Sequence, residues 1–277
     1  MKKILVTGSE GYIGSVLVPM LLNNGYNVVG LDACYYSEGN LNNYMFPQYN
    51  LINKDIRDIE KDDFNNSGYY AIIHLAALSN DPLGMLDEKL TYDINYKSTV
   101  KIAELAKSAG VERFIFASSV YSFGTTGNLY TTSKIASELI IENYNLLFGL
   151  KYTILRYPTA YGPRNRNVDA ISIFVDRAVK NKNLIIHGNG KQKRNYLYVE
   201  DLGEGSTIAL DKKLANNEPE LLQEFDRLIS VVEDIATKER GKILLNRLGN
   251  PEKALAARLR TTGRPAGQSH IEGFVGS

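Results

Sequence analysis

A single cysteine, Cys34, stands in a chain of 277 residues, so no intramolecular disulfide can form and a disulfide-stapled scaffold is excluded. The three histidines and that thiol have no metal-ligand spacing, which argues against structural zinc and for a reducing compartment. No apolar run approaches the roughly 18 residues that cross a bilayer. The amino end passes from Met1-Lys2-Lys3 into a strand-like segment, not a signal-peptide core, so the expected location is the cytoplasm. An excess of one charge is also missing. With 32 Lys and Arg against 31 Asp and Glu, the net charge of +1 gives no electrostatic basis for a nucleic-acid or membrane partner. Tyrosine is missing locally: all 18 lie between Tyr12 and Tyr198, and none follows. The first part of the chain is rich in Asn, Tyr and Ile, whereas residues 251–277 contain no Asn.

What is present is an ordinary globular composition, 44% hydrophobic and 23% charged, long enough for one large domain or two unequal ones. Lys3-Ile4-Leu5-Val6-Thr7 is a short apolar run closed by Gly8, after which Ile13, Val16, Leu17, Met20 and Leu21 recur at helical spacing. Further strand-like runs fall at 27–31, ending at Asp32, and at 49–52, 70–75, 113–117 and 152–156. Helical stretches lie between them near 58–64, 93–109 and 132–148. Continuously apolar strands alternating with helices predict an α/β fold, a doubly wound, Rossmann-like parallel sheet covered on both faces. Beyond Arg156 a Pro/Gly-marked loop, a helix at 170–180 and a strand at 184–187 are expected, followed by helices at 219–236 and from Pro251 to about Arg260, then a poorly ordered tail.

Gly8, Gly11 and Gly14 stand three apart between the first strand and the first helix. That context suits a tight turn, close approach of backbone to a pyrophosphate, and anion binding at the helix amino end. Asp32, closing the second strand, would accept hydrogen bonds from both hydroxyls of an adenosine ribose and repel a 2′-phosphate, which favours NAD over NADP. Tyr130 and Lys134 lie four apart in a helical stretch, so phenol and ammonium share one face. Lowering a phenol from about pH 10 to 7 requires about 4 kcal/mol of preference for the phenolate, and a neighbouring cation in a desolvated cleft acts in that direction. Ser118-Ser119 ends the strand at 113–117, on the side of the sheet where open α/β folds bind ligands.

Taken in order, the three glycines, Asp55-Ile56-Arg57-Asp58, His74-Leu75-Ala76-Ala77, Ser118-Ser119, Tyr130-x-x-x-Lys134 and Arg194-Asn195-Tyr196-Leu197-Tyr198-Val199-Glu200-Asp201 resemble the extended short-chain dehydrogenase/reductase family of NAD-dependent nucleotide-sugar epimerases and dehydratases. The resemblance spans residues 1 to about 210. It implies NAD as cofactor, held by Gly8, Gly11, Tyr12, Ile13, Gly14 and Asp32, with Asp58 and Ile59 beside the adenine. Leu75, Ala76 and Ala77 would line the cleft, Asn95 would sit in the helix behind it, and Tyr130, Lys134 and Tyr157 would complete the cofactor contacts. Ser119, Tyr130 and Lys134 become the catalytic set, and Ser119, Thr159 and Arg194 the substrate contacts, Arg194 on the nucleotide diphosphate. His74 reads as a strand-end residue packed beneath the site.

Three departures from the family pattern bear on function. The stretch between Ser119 and Tyr130 is short, and Val120-Tyr121 replaces the Asp-Glu pair that dehydratases carry, which favours epimerisation, with C4 as the expected carbon. Thr159 stands where the family often has Asn. The resemblance therefore implies a nucleotide-sugar 4-epimerase, with a reductase or decarboxylase on the same scaffold, or a non-catalytic NAD-binding sensor, as alternatives. The expected organisation is a dinucleotide-binding domain over 1–156, substrate-side elements over 157–210 and an atypical helical segment over 211–277. That last segment is compatible with a divergent cap, a truncated or fused product, or a lobe supplied by a partner chain. The helices at 93–109 and 132–148 resemble those that pair across a dimer axis, so a homodimer is expected.

Overall fold

The structure is a computed structural model that describes residues 1–35, 46, 48–64, 67–78, 87–123, 128–165, 169–190 and 194–210. Six strands, β1 (Lys3–Thr7), β2 (Asn27–Asp32), β3 (Tyr49–Asn53), β4 (Tyr69–His74), β5 (Arg113–Ser119) and β6 (Tyr152–Tyr157), form a parallel sheet in the order β3-β2-β1-β4-β5-β6. This is the doubly wound arrangement the alternating pattern predicts, and the order reverses between β1 and β4. β4 and β5 are buried at every position, as strands covered on both faces must be.

The helices are α1 (Tyr12–Asn23), α2 (Glu88–Tyr92), α3 (Ser98–Ser108), α4 (Leu129–Phe148), α5 (Ala170–Val179) and α6 (Val199–Ile208). A π-helical turn, Asp93–Lys97, joins α2 to α3. Alternation along β1 divides the interior into two cores. Leu5 packs with Ile72, Ile102, Phe114 and Ile141 on one face; Ile4 and Val6 pack with Leu17, Leu21, Ile73 and Ala209 on the other. α6 lies against α1 so closely that a Cβ on Gly203 would stand 2.7 Å from Met20 Sδ. Beyond β6, a second parallel pair, β7 (Thr159–Tyr161) and β8 (Tyr196–Tyr198), carries α5 between its strands in sequence.

Two local expectations change. The helix expected at 58–64 is replaced by two 3₁₀ turns, Ile56–Asp58 and Lys61–Asp63, the first capped by Asp55 accepting from the Arg57 amide. Residues 184–187 form no strand among the described residues; Leu184, Ile185 and Ile186 are exposed and find no ladder partner. The helices expected at 219–236 and 251–260 lie outside the described residues. Among those described, no helix is long and apolar enough to cross a membrane and no cluster of acidic, His or Cys side chains could hold a metal ion.

Candidate active site

The carboxyl ends of β1, β4 and β5 open into a cavity of about 1000 Å³. Its floor is the turn between β1 and α1. Gly8 adopts a φ of 72° and donates its amide to the Leu31 carbonyl at 2.8 Å. A Cβ there would lie 2.8 Å from the Ala76 nitrogen, and one on Gly14 only 2.3 Å from the Gly8 oxygen, so neither position admits a side chain without moving backbone. α1 begins with Gly11 as a cap that offers no side-chain bond, and its first turn holds no acidic residue. The leading amides are left for an anion.

Asp32 is fixed at the rim: Oδ2 accepts from the Glu10 amide at 2.9 Å and Oδ1 from the Cys34 amide at 2.8 Å. Behind this turn Glu10 is buried and accepts from Tyr49 Oη at 2.6 Å, while Tyr49 also reaches Ser9 Oγ at 2.9 Å. Burial, reinforced by the Glu10 bond, raises the Tyr49 pKa, so the phenol stays protonated as donor. Tyr12 also lines the cavity, and burial pushes its phenol up to about 12.

His74 ends β4 below the cavity, wholly buried, and its proton position follows from hydrogen-bond accounting. Thr99 Oγ1 spends its one proton on the Asn95 carbonyl at 2.7 Å, so it accepts from His74 Nε2 at 3.0 Å. Nδ1 is then the acceptor for Thr7 Oγ1 at 2.7 Å, and Thr7 Oγ1 receives the Ala76 amide at 3.2 Å. Burial, with the Lys134 charge adding to it, lowers the imidazole to about 3 and keeps it neutral. The histidine is thus the packed strand-end residue that the sequence suggests.

The opposite wall carries the proton chemistry. Ser119 closes β5, buried, and its Oγ accepts from the Tyr121 amide at 3.3 Å. Asn128 caps α4 by accepting from the Thr131 amide, so Tyr130 stands in the first turn and Lys134 one turn further on. Lys134 Nζ donates to the Ala117 carbonyl at 2.7 Å and lies 5.9 Å from the centroid of the Tyr130 ring. Burial depresses the Lys134 pKa to about 8, against an opposing pull from Glu138. On the far side, β7 and β8 bring Thr159 and Arg194 to the cavity together with Tyr121, Asn165, Phe174 and His187.

Most residues expected at the site meet there: Gly8, Gly11, Tyr12, Ile13, Gly14, Asp32, Leu75, Ala76, Ala77, Ser119, Tyr130, Lys134, Tyr157, Thr159 and Arg194 all line the cavity. Three do not. Asp58 is exposed and Ile59 belongs to the core, because the 3₁₀ turn capped by Asp55 swings the chain away; Asp55 and Ile56 face the cavity instead. Asn95 is spent on protein partners, accepting from the Leu78 amide at 2.8 Å and donating to the Leu78 carbonyl and Ser133 Oγ. It braces the cofactor-side loop against α4 and offers nothing to the cavity. Tyr157 turns its hydroxyl onto Ser206 Oγ at 2.7 Å, and burial raises its pKa. Glu10, Asp55 and Ile56 were missed, although the last two sit inside the quoted Asp-Ile-Arg-Asp motif; only the cap at Asp55 tells which half of it faces inward.

Comparisons with known proteins agree with this geometry. Residues 4–223 match the model of the NAD-dependent epimerase/dehydratase family, past the point near Leu210 where the motif resemblance ends. A Methanocaldococcus jannaschii protein provisionally designated a UDP-glucose 4-epimerase is 36% identical over 228 residues, covering 76% of this chain and 74% of that one. The Thermotoga maritima UDP-glucose 4-epimerase solved with UDP-glucose superposes with a TM-score of 0.71 at 28% identity, over 76% of this chain and 73% of its own. The Bacillus cereus UDP-glucuronic acid 4-epimerase solved with UDP-glucuronic acid and NAD gives 0.69 at 28% identity, over 76% and 74%. The chain belongs to the NAD-dependent epimerase/dehydratase family. Its cleft fits the dinucleotide: a glycine cradle that Cβ atoms would fill, a first turn of α1 with no side-chain cap, and a carboxylate, Asp32, fixed at the rim.

Proposed function

We propose that this chain is an NAD-dependent epimerase acting at C4 of a nucleotide sugar. The observation that carries the reading is that Ser119, Tyr130 and Lys134 line the same cavity as the glycine turn and Asp32. A binding module would need the turn and the carboxylate but no proton-transfer set.

When bound, NAD supplies the acceptor and then the donor of the hydride that leaves and returns to the sugar carbon. The chain's own residues do the rest. Tyr130 takes the proton of the C4 hydroxyl and gives it back when the carbonyl is reduced from its other face. Lys134 stabilises the phenolate by charge; one of its three protons is committed to Ala117, leaving two for the site. Ser119, its oxygen accepting from Tyr121, has its own proton for the reacting oxygen. Arg194 holds the diphosphate while the keto sugar turns over. Val120 and Tyr121 offer no acid to eliminate water, which supports epimerisation over dehydration.

Purified protein incubated with NAD and UDP-, GDP- or dTDP-sugars is expected to invert C4, with Tyr130→Phe losing at least a hundredfold in turnover while still binding NAD. Net turnover of NAD(H), or CO₂ release, would identify a reductase or decarboxylase instead. NAD binding without reaction would identify a sensor.

The exposed apolar residues Leu139, Leu146, Leu147 and Phe148 on α4 support a homodimer that buries them, and light scattering of a monomer at micromolar concentration would overturn it. The cytoplasm is the proposed location.

A further inference from the structure

The mechanism above leaves one buried carboxylate of the catalytic helix unused. Glu138 lies one turn beyond Lys134 and two beyond Tyr130 on α4, with a side chain only 7% exposed. It does not border the cavity. Its two oxygens receive Arg156 of β6 bidentately, Nη2 to Oε2 at 2.5 Å and Nε to Oε1 at 3.1 Å. Oε1 also accepts the Ser118 hydroxyl of β5. That bond consumes the single proton of Ser118, so at the 3.0 Å contact between Ser118 and Ser122 the donor is Ser122. The direction is therefore Ser122 to Ser118 to Glu138. Arg156 completes the ring by lying 4.6 Å from the centroid of Phe123, the last residue of the 3₁₀ turn Val120–Phe123.

Three segments meet at this one carboxylate: the helix bearing Tyr130 and Lys134, the strand end bearing Ser119, and the strand leading to Tyr157 and Thr159. We propose that Glu138, through Ser118 and Arg156, is a positioning residue that locks the Ser119 turn onto the catalytic helix and so fixes the separation of Ser119 from Tyr130 and Lys134. A buried, bidentately paired carboxylate suits this task because without Arg156 it would keep only the charge of Lys134, so arrangements that break the pair are costly. Transition-state stabilisation by a hydroxyl is steep in distance, so a loosened turn should cost rate and leave ground-state binding unchanged.

The kinetic arm rests on the epimerase reading; the exchange arm does not. Glu138→Gln and Ser118→Ala are made in the full chain, loaded with NAD, and assayed with UDP-glucose and UDP-galactose. The expected result is a fall in kcat of at least tenfold for Glu138→Gln and about fivefold for Ser118→Ala, with KM within twofold of wild type. Backbone amide exchange at Tyr121, Ser122 and Phe123 should quicken at least tenfold while β4 is unchanged. A kcat per folded molecule within twofold of wild type, or a fall matched by an equal rise in KM, would overturn the proposal. So would unchanged exchange in the turn. If Glu138→Gln does not fold, Ser118→Ala, which loses one hydroxyl only, decides. If wild-type protein inverts no sugar, the epimerase reading fails and the exchange result alone judges the positioning role.

Discussion

Lys134 Nζ stands 2.7 Å from the carbonyl oxygen of Ala117, so a buried ammonium is tied to the carboxyl end of β5 with Phe116 4.8 Å from it at the ring centroid. The tie gives the cation direction and one partner, yet burial still holds its pKa near 8, below the ordinary 10.5. Below pH 8 the folded chain bears the full cost of that charge, and the cost fades as pH rises towards 10.5, where the unfolded chain also loses the proton. The shift corresponds to about 3 kcal/mol, less about 1 kcal/mol for the Ala117 bond. Lys134→Met should accordingly be more stable than wild type at pH 7 by about 1–3 kcal/mol, and the gap should close by pH 10.5, while catalysis is lost. Urea titrations at the two pH values check it; a less stable variant at pH 7 would contradict the assigned burial cost.

Asp32 is held by two backbone amides, an orientation that would let its carboxylate accept ribose hydroxyls. Asp32→Ala should weaken NAD binding at least tenfold, or about 1.4 kcal/mol, and weaken NADP binding less, since the repulsion of a 2′-phosphate goes with the charge. Calorimetry with both cofactors measures the two changes.

His74, with its folded pKa near 3 against an ordinary 6.5, contributes in the opposite pH range. Its stability contribution is complete above pH 6.5 and is lost as pH falls towards 3, at about 1.4 kcal/mol per unit, because the unfolded chain takes up a proton that the buried ring refuses. His74→Gln can keep one donor and one acceptor for Thr99 and Thr7 but cannot titrate. Between pH 6.5 and 4 its denaturation midpoint should decline less steeply than that of wild type.

Legibility in the sequence followed the type of signal. The sheet could be read from the runs that became β1 to β6, because strands buried on both faces must be continuously apolar, and the glycine turn from spacing tied to a strand and a helix. Tyr130 and Lys134 were legible because helical geometry alone sets them on one face. Asp58 and Ile59, expected at the cavity, lie outside its lining because a single Asx cap at Asp55 decides which part of a four-residue motif faces inward. Asn95 was assigned to the cofactor, but its tertiary partners, Leu78 and Ser133, are distant in sequence and leave no local pattern. The Glu138–Arg156 pair escaped notice for the same reason.

Gly14 sits where an added methyl would lie 2.3 Å from the Gly8 oxygen and 2.6 Å from that of Ser9. Both atoms are backbone of the turn itself, so the contact cannot be relieved by a side-chain rotation. Gly14→Ala is expected to abolish measurable NAD binding and lower stability by about 1–3 kcal/mol, the range for overpacking a filled interior. Thermal melts with and without NAD test both parts: the variant should melt earlier and gain no stabilisation from added cofactor.

Gly30, in the middle of β2, has another neighbourhood: a Cβ there would fall 2.2 Å from Tyr49 Oη and 2.3 Å from Ser9 Oγ. The absent side chain is the space in which the Tyr49 hydroxyl reaches Ser9 and Glu10 from β3. The two positions are consequently bound to an order of change. A side chain can enter at 30 only after 49 has become smaller and Ser9 Oγ has moved aside, and a shortened residue 49 takes one donor away from the buried Glu10. Related chains that keep Tyr at the position of 49 should therefore keep Gly at the position of 30, whereas Gly at 30 sets no such demand on 49.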